Sequence, residues 1–360
     1  MKVSIVVTHL LGTGHLARAL TLARAFVAGG HSATVISGGM HAPHLDGEGV
    51  EQVQLPPLRS DGADFAQLLD QSGHIAGDAI FSARSAILAE HVQTAQPDVL
   101  ITELFPFGRR TLTAEFVALL EAAHRLPRRP LICASIRDIL APPSKPAKAD
   151  RTDDLIERFY DTVLVHADAD VTPLSLSWPV SDRLVGKLHY TGYVAPPPPL
   201  PHPGRLGQSE IIVSAGGGDV GAKVFDTCLA AAKRDPKRRW RLLLGGRDAA
   251  TKSARLMRTA PANITIEPAR PDFRQMLYHA AASVSLCGYN TALDVLQSGV
   301  RAVFIPFDAG NEVEQGLRAD ALLGALDRVV SDSPRAPRTT GFDGAIETVR
   351  WTETMRKAMQ

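Results

Sequence analysis

His15 has the most chemistry to offer, because of where it stands. It follows Gly12-Thr13-Gly14, directly after the apolar run VSIVVTH at 3–9. A short β-branched run of this kind reads as a strand buried on both faces, as a central parallel strand requires. The glycine turn then opens a helix, and backbone N–H groups around Gly12 and Gly14 can approach an oxygen-rich ligand. An imidazole at this edge faces the crevice where such sheets bind ligands, and with a pKa near neutrality it can accept a proton from a hydroxyl. Glycines alone serve a plain turn equally well, and a packing histidine is the ordinary alternative for His15. Glu103, closing a second apolar run, is the reserve base and Asp138 another crevice candidate; for both, solvation or local ion pairing is the ordinary account. Gly12, Gly14 and Ala17 also satisfy a permissive dinucleotide fingerprint. The acid that would hold a ribose is missing, however, since the next strand ends Ser37-Gly38-Gly39, and a dehydrogenase is disfavoured.

A second glycine turn, Ser214-Ala215-Gly216-Gly217-Gly218-Asp219, follows another apolar run and leaves several backbone donors open to a diphosphate. It is not a kinase-type P-loop, because Ala222 follows Gly221 where the phosphate-bridging lysine is needed. The stretch 282–319 adds a third turn at Gly288, with Asn290 and Thr291 opening a helix that carries Asp294. Asp294 is placed to hold ribose hydroxyls. Glu314 and Gln315 follow the Pro306-Phe307 turn, where a carboxylate and an amide together accept and donate hydrogen bonds to a sugar. Each has an ordinary account as a surface helix acid or a residue stabilised by the helix dipole; their order together favours a ligand site. Asp168 with Asp170 makes a thin metal argument, as do His41, His44 and Asp46, and a solvated loop is favoured for them; no metal is expected.

The elements that must position these residues form a repeating pattern. Strands are expected at 3–9, 33–37, 98–103, 130–135 and 162–166. The first helix is carried by Leu16, Ala19, Leu20, Ala23, Phe26 and Val27 and ended by Gly29-Gly30. After the proline-rich APPPPLPHPG at 195–204 the pattern restarts, with strands at 210–214, 240–244, 263–267, 282–287 and 301–305. The predicted fold class is therefore α/β, two doubly wound Rossmann-like domains facing a cleft. The expected boundaries are 1–195, a linker at 196–204, 205–345, and a C-terminal helix at 346–360 packing back on the first domain. A formal charge of +1 over 360 residues gives no footprint for nucleic acid, although the split is −4 for 1–200 and +5 for 201–360. Cys133, Cys228 and Cys287 are widely spaced and fit buried thiols in a reducing cytoplasm.

At these residues the chain resembles the GT-B glycosyltransferases of the family 28 group, which add N-acetylglucosamine to the lipid-linked peptidoglycan precursor. The matching order is a glycine turn with histidine, a second glycine turn, then Gly288, Asp294, Gly299, Pro306-Phe307 and Glu314-Gln315. Within that group, Gly12 to Arg18, Arg84-Ser85, SIRDIL at 135–140 and Tyr190-Thr191-Gly192-Tyr193 are similar to a set of bacterial predicted glycosyltransferases. The resemblance implies a metal-independent, inverting transfer from a nucleotide-diphosphate sugar such as UDP-N-acetylglucosamine to an unidentified hydroxyl acceptor. No cofactor is implied beyond the donor. By the same resemblance Gly216 to Gly218 receive the diphosphate, Asp294 the ribose, Glu314 and Gln315 the sugar, and the turn at Ala269-Arg270 the base. The chain departs from the group in lacking one glycine before the histidine, in the shorter arm of Asp294, and in having no aromatic near Ala269. A nucleotide-sugar hydrolase is the nearest rival, and a non-catalytic nucleotide-sugar-binding protein is a third reading. The apolar stretch 112–130, with Arg125, Arg128 and Arg129, leaves peripheral contact with the inner membrane face open, though a buried helix with a basic end explains it equally well.

Overall fold

The computed structural model describes the chain apart from residues 44, 46, 62, 63, 217–220, 247, 308–312, 328–339 and 360, with backbone alone at 61, 64–66 and 323–327. It divides into two units, Met1–Pro196 with Gly341–Gln360, and Pro197–Thr340. The first begins β1 (Lys2–Val7), α1 (Gly14–Ala28), β2 (Ser32–Ser37), β3 (Glu51–Gln54), β4 (Arg59–Asp61) and β5 (Asp64–Leu69). It continues α2 (Asp78–Ala95), β6 (Val99–Glu103), α3 (Thr113–His124), β7 (Leu131–Arg137), α4 (Pro146–Phe159), β8 (Thr162–His166), α5 (Asp182–Val185) and β9 (Leu188–Tyr190). Seven of these strands form one parallel sheet in the order β3-β2-β1-β6-β7-β8-β9, while β4 and β5 pair as a separate hairpin.

The second unit holds β10 (Glu210–Ser214), α6 (Ala222–Arg234), β11 (Arg239–Leu244), α7 (Ala249–Met257), β12 (Ile264–Pro268) and α8 (Phe273–Leu277). Then follow β13 (Ala282–Ser285), α9 (Tyr289–Ser298), β14 (Ala302–Phe304) and α10 (Glu314–Asp327). Its five strands are parallel in the order β12-β11-β10-β13-β14. The period-2 alternation of a strand divides β10 between two cores. Ile211 and Val213 pack with Val224, Phe225 and Cys228 of α6, and Ile212 packs with Met276 and Leu277 of α8 and Val295 of α9. In the first unit Val3, Ile5 and Val7 of β1 bury against Leu16, Ala19, Leu20, Ala23 and Phe26, the apolar stripe of α1.

The final helix, α11 (Gly344–Ala358), belongs to the first unit. Ala345 and Val349 join the α1 core, and Glu353 meets His31 at 2.9 Å. The second unit ends at Thr340, short of the expected residue 345, because the chain is already tied to the first unit at Gly341, whose carbonyl accepts from the Tyr193 N–H at 2.9 Å. A Cβ at Gly344 would lie 2.3 Å from the Gly192 carbonyl oxygen, so only glycine permits this approach. Residues 197–204, expected as a spacer, are tied to the second unit. Pro197 O accepts from Arg274 at 3.1 Å, and His202 lies 3.2 Å from Asp272. Among the described residues no helix is long and apolar enough to cross a membrane.

Both sheets reverse strand order at one place, between β1 and β6 in the first unit and between β10 and β13 in the second. Ligands of open α/β sheets bind outside the carboxyl ends of the strands at such a switch point.

Candidate active site

The first switch point brings His15 and Glu103 together. His15 lies in the first turn of α1 and Glu103 is the last residue of β6, 88 positions later. His15 Nδ1 donates to Glu103 Oε2 at 3.0 Å and to Oε1 at 3.1 Å; since an ionised carboxylate only accepts, the proton is on Nδ1. The other ring nitrogen, Nε2, is left as the basic lone pair. Glu103 is 1% exposed and also accepts from Arg18, which stands three residues beyond His15 on the same helix face. The carboxylate, expected as a reserve base, is thus buried between His15 and Arg18. Asp138, the other crevice candidate, is likewise buried, its Oδ1 accepting from the Ile139 N–H at 2.7 Å.

The charges of this cluster set its protonation. Burial lowers the His15 pKa to about 4, with Glu103 pulling it up and Arg109 and Arg18 pushing it down. Burial would raise Glu103, but Arg18, His15 and Arg109 outweigh it and hold the carboxyl well below the ordinary carboxylate range. His15 is thus neutral at pH 7, the state a general base needs. Activity that depends on it should be constant above about pH 5 and fall roughly tenfold per unit below pH 4, as a kcat/KM profile would show. Stability should follow the same sign. The unfolded histidine takes up its proton near 6.5 and the folded one only near 4, so this group's contribution is lost as pH falls across that window.

Two neighbours were not legible beforehand. Arg109, in the left-handed region at φ 59°, donates from Nε to the Thr8 carbonyl at the end of β1 at 2.5 Å. His166, the last residue of β8, is buried between Ser135 Oγ at 2.9 Å and Thr191 Oγ1 at 2.8 Å, and burial lowers its pKa to about 3. Arg18, by contrast, did carry a signal, as the last residue of the Gly12 to Arg18 pattern, three residues from His15.

Arg84, on α2, fixes the frame around this edge. Its guanidinium is fully buried and grips Glu115 of α3 with two bonds, Nε to Oε2 at 2.6 Å and Nη2 to Oε1 at 2.8 Å. It also donates to Gly38 O at 2.9 Å, Pro56 O at 2.7 Å and Thr8 Oγ1 at 3.1 Å, joining the carboxyl ends of β1 and β2.

In the second unit, Ser214 ends β10 and its Oγ accepts from the Gly216 N–H at 3.2 Å. Gly216 has φ +77°, open space where a Cβ would stand, and so a backbone that a ligand can approach. Gly217 and Gly218 lie outside the described residues. Across the switch point Gly288 caps α9, with no side-chain cap bond and open space at its Cβ position. The first-turn N–H groups of α9, around Asn290 and Thr291, are available to an anion. Arg318 of α10 donates to the Cys287 carbonyl at 2.9 Å. Glu314 is one turn before Arg318 on the same helix face, so the start of α10 stands beside the Gly288 turn. Gln315 Oε1 accepts from the Phe307 N–H at 3.1 Å, closing the preceding turn.

Two of the residues expected to hold the donor are engaged with other side chains. Asp294 lies about one turn along α9 from Asn290 on the same face and is paired with Arg274 Nε at 2.7 Å; burial pushes its pKa up to about 6 against the pull of Arg274. Arg270, expected at the base, is locked to Asp272 by bonds of 2.8 and 2.7 Å, and the adjacent Ala269 N–H is taken by Leu244 O at 2.7 Å. Of the thin metal candidates, Asp168 Oδ1 accepts from the Asp170 N–H at 3.0 Å in a local turn, and His44 and Asp46 lie outside the described residues.

No family model and no curated protein matches the sequence. Solved structures do. The calicheamicin glycosyltransferase CalG4 superposes with TM-score 0.57 at 17% identity, over 99% of this chain and 98% of that one. MurG of Acinetobacter baumannii gives 0.56 at 15% over 100% and 99%. Phytolacca americana UGT2, complexed with UDP-2-fluoro-glucose and pterostilbene, gives 0.55 at 16% over 99% and 92%. The chain has the GT-B fold. Within that fold the glycine turns of the two units occupy equivalent places, each following the strand at which the order of its sheet reverses. At such low identity the likeness carries the architecture, and chemistry has to be argued from the residues.

Proposed function

We propose that this chain is a metal-independent, inverting glycosyltransferase of the family 28 type that moves a sugar from a nucleotide-diphosphate donor, UDP-N-acetylglucosamine or a close relative, to a hydroxyl acceptor. The observation that carries the reading is the neutral His15 held by Glu103 at the β1/β6 switch point. His15 Nε2 takes the acceptor's proton as the acceptor oxygen attacks the anomeric carbon from the face opposite the diphosphate. The bond from that carbon to the diphosphate oxygen breaks, and the nucleoside diphosphate leaves with the electron pair. Attack from the opposite face inverts the anomeric configuration. Glu103 stabilises the imidazolium that forms, and Arg18 keeps Glu103 ionised.

The N–H groups at the start of α9, with the open backbone at Gly216, whose own N–H is held by Ser214, are read as the cradle for the leaving diphosphate, fixed dipoles that need no reorganisation during reaction. Asp294, oriented by Arg274, is read as the ribose partner, with Glu314 and Gln315 beside the sugar. The Phytolacca neighbour was captured with a UDP-sugar analogue, which supports this class of donor. Contact of 112–130 with lipid is not part of the reading, because Arg125, Arg128 and Arg129 each face an acid, at 4.0, 3.6 and 3.0 Å.

A thermal-shift panel of nucleotides and nucleotide sugars tests the donor class, since a ligand specific to the folded state adds about 3 kcal/mol at a hundredfold excess over its Kd. Asp294→Ala should weaken the hit about tenfold or more by calorimetry; equal affinity in wild type and variant removes Asp294 from the site. Rapid release of free sugar from the donor without any acceptor would replace transfer by hydrolysis.

A further inference from the structure

A pocket of about 400 Å³ opens in the second unit, at the sheet edge opposite its glycine turns. It is lined by the loop 204–208 and by Glu210, Arg239 and Arg241. Glu210 and Arg239 are the first residues of β10 and β11, whereas the glycine turn follows Ser214 at the other end of β10. Four steps along the strand, at about 3.3 Å each, put roughly 13 Å between the two edges.

The sequence winds this loop around one histidine. His202 Nδ1 accepts from the Gly204 N–H at 3.1 Å and the Leu206 N–H at 3.2 Å, and its carbonyl accepts from the Arg205 N–H at 2.9 Å. The ring proton is therefore on Nε2, which donates to Asp272 at 3.2 Å. Arg205, Gly207 and Ser209 all take the left-handed region in this loop, at φ 49°, 85° and 58°. Gly207 has to be glycine, since a Cβ would stand 3.0 Å from the Met276 carbonyl oxygen. Arg205 and Ser209 bear a Cβ and hold this conformation against their preference, a strain that gathers at ligand sites.

Charge in the pocket does not cancel. Arg241 is neutralised by Glu210, at 2.6 and 3.1 Å, and by Glu267 at 2.6 Å. Arg239 donates to the Gln208 carbonyl at 2.5 Å, a neutral partner, while the adjacent Arg238 is taken by Asp235 at 2.6 Å. Among the described residues the Arg205 guanidinium and the Gln208 side-chain amide are in no hydrogen bond or ion pair, and Arg239 is in no ion pair. Two guanidinium groups thus line one opening without a carboxylate of their own. A phosphate monoester carries close to two negative charges at pH 7 and matches that balance, and planar guanidinium groups grip its oxygens in pairs. Leu206 is the one apolar side chain of the lining, and the Gln208 amide can both donate and accept, so the remainder of the ligand is hydroxylated.

We propose that this pocket is a second ligand site, separate from that of the donor, and that it binds a phosphate monoester of the sugar phosphate kind, with Arg205 and Arg239 holding the phosphate. The site stands independently of the glycosyl-transfer reading.

Calorimetry on the full chain with ribose 5-phosphate, with and without excess UDP, tests it. Ribose 5-phosphate should bind saturably, about tenfold or more tighter than ribose or inorganic phosphate, because the ester alone uses both the guanidinium groups and the amide. Arg205→Gln removes a guanidinium that holds nothing else in the fold. It should weaken the ester about tenfold, and Arg205→Gln/Arg239→Gln further, while thermal melt and response to UDP-sugars match wild type. Equal binding in wild type and variants, or no binding to either, overturns the proposal. Inorganic phosphate binding as tightly as the ester overturns the ester assignment, and displacement by UDP would move the ligand to the donor turn and overturn the second site. Sedimentation with phosphatidylglycerol vesicles that drops in the variants, without binding of ribose 5-phosphate, would assign Arg205 and Arg239 to a lipid surface and overturn it as well. A UDP-sugar shift without ribose 5-phosphate binding defeats the pocket alone. Ribose 5-phosphate binding without any nucleotide response supports the pocket and defeats the transfer reading.

Discussion

His15→Ala should lower kcat about a thousandfold with donor affinity unchanged, measured by turnover with acceptor and by calorimetry with the nucleotide sugar. The size follows from the geometry. The imidazole is neutral, its tautomer is set by a 3.0 Å bond to Glu103, and its remaining lone pair is the basic atom at this sheet edge. Removing it takes away proton transfer in the transition state and leaves the glycine turns of the other unit intact. A variant that turns over at the wild-type rate would exclude His15 as the base. One that loses donor affinity in step with turnover would move His15 from the chemistry to the binding of substrate.

The second large effect is on stability. Arg84→Ala should destabilise the first unit by about 3–5 kcal/mol in urea denaturation, because Glu115, 3% exposed, would be left as an uncompensated buried charge. The carbonyls of Gly38 and Pro56 would lose a donor at the same time. Arg84→Met, which fills the same volume, should recover little, since the stranded carboxylate is the main cost. If Arg84→Ala melts as wild type does, water or a rearranged Arg109 has replaced the guanidinium, and the frame around the β1 edge is more adaptable than its contacts imply.

The central strands and the first helix were legible because their signals are local. Apolar runs at 98–103 and 162–166 became β6 and β8 nearly residue for residue, and the stripe from Leu16 to Phe26 became the buried face of α1. The edge strands β3 and β9 and the β4–β5 hairpin were not. EQVQ and LHY are too short and too polar to announce a strand, and neighbouring strands impose the conformation.

The site divides the same way. Glycine turns after buried strands, and a histidine opening a helix, are statements about adjacent residues, and the chain spells them out. What Glu103 does is not local: 88 residues separate it from His15, and only the order β1-β6 in the sheet makes them neighbours. Read alone, Glu103 was a reserve base, whereas in the fold it is buried against His15 and Arg18. Asp294 met a similar fate, since Arg274 reaches it from another helix. Short-range spacing thus determined the two α/β units, the turns and the place of His15 at the start of α1. Strand order and burial decided which acids stay charged and which partners they hold, because both depend on contacts between segments far apart in the chain.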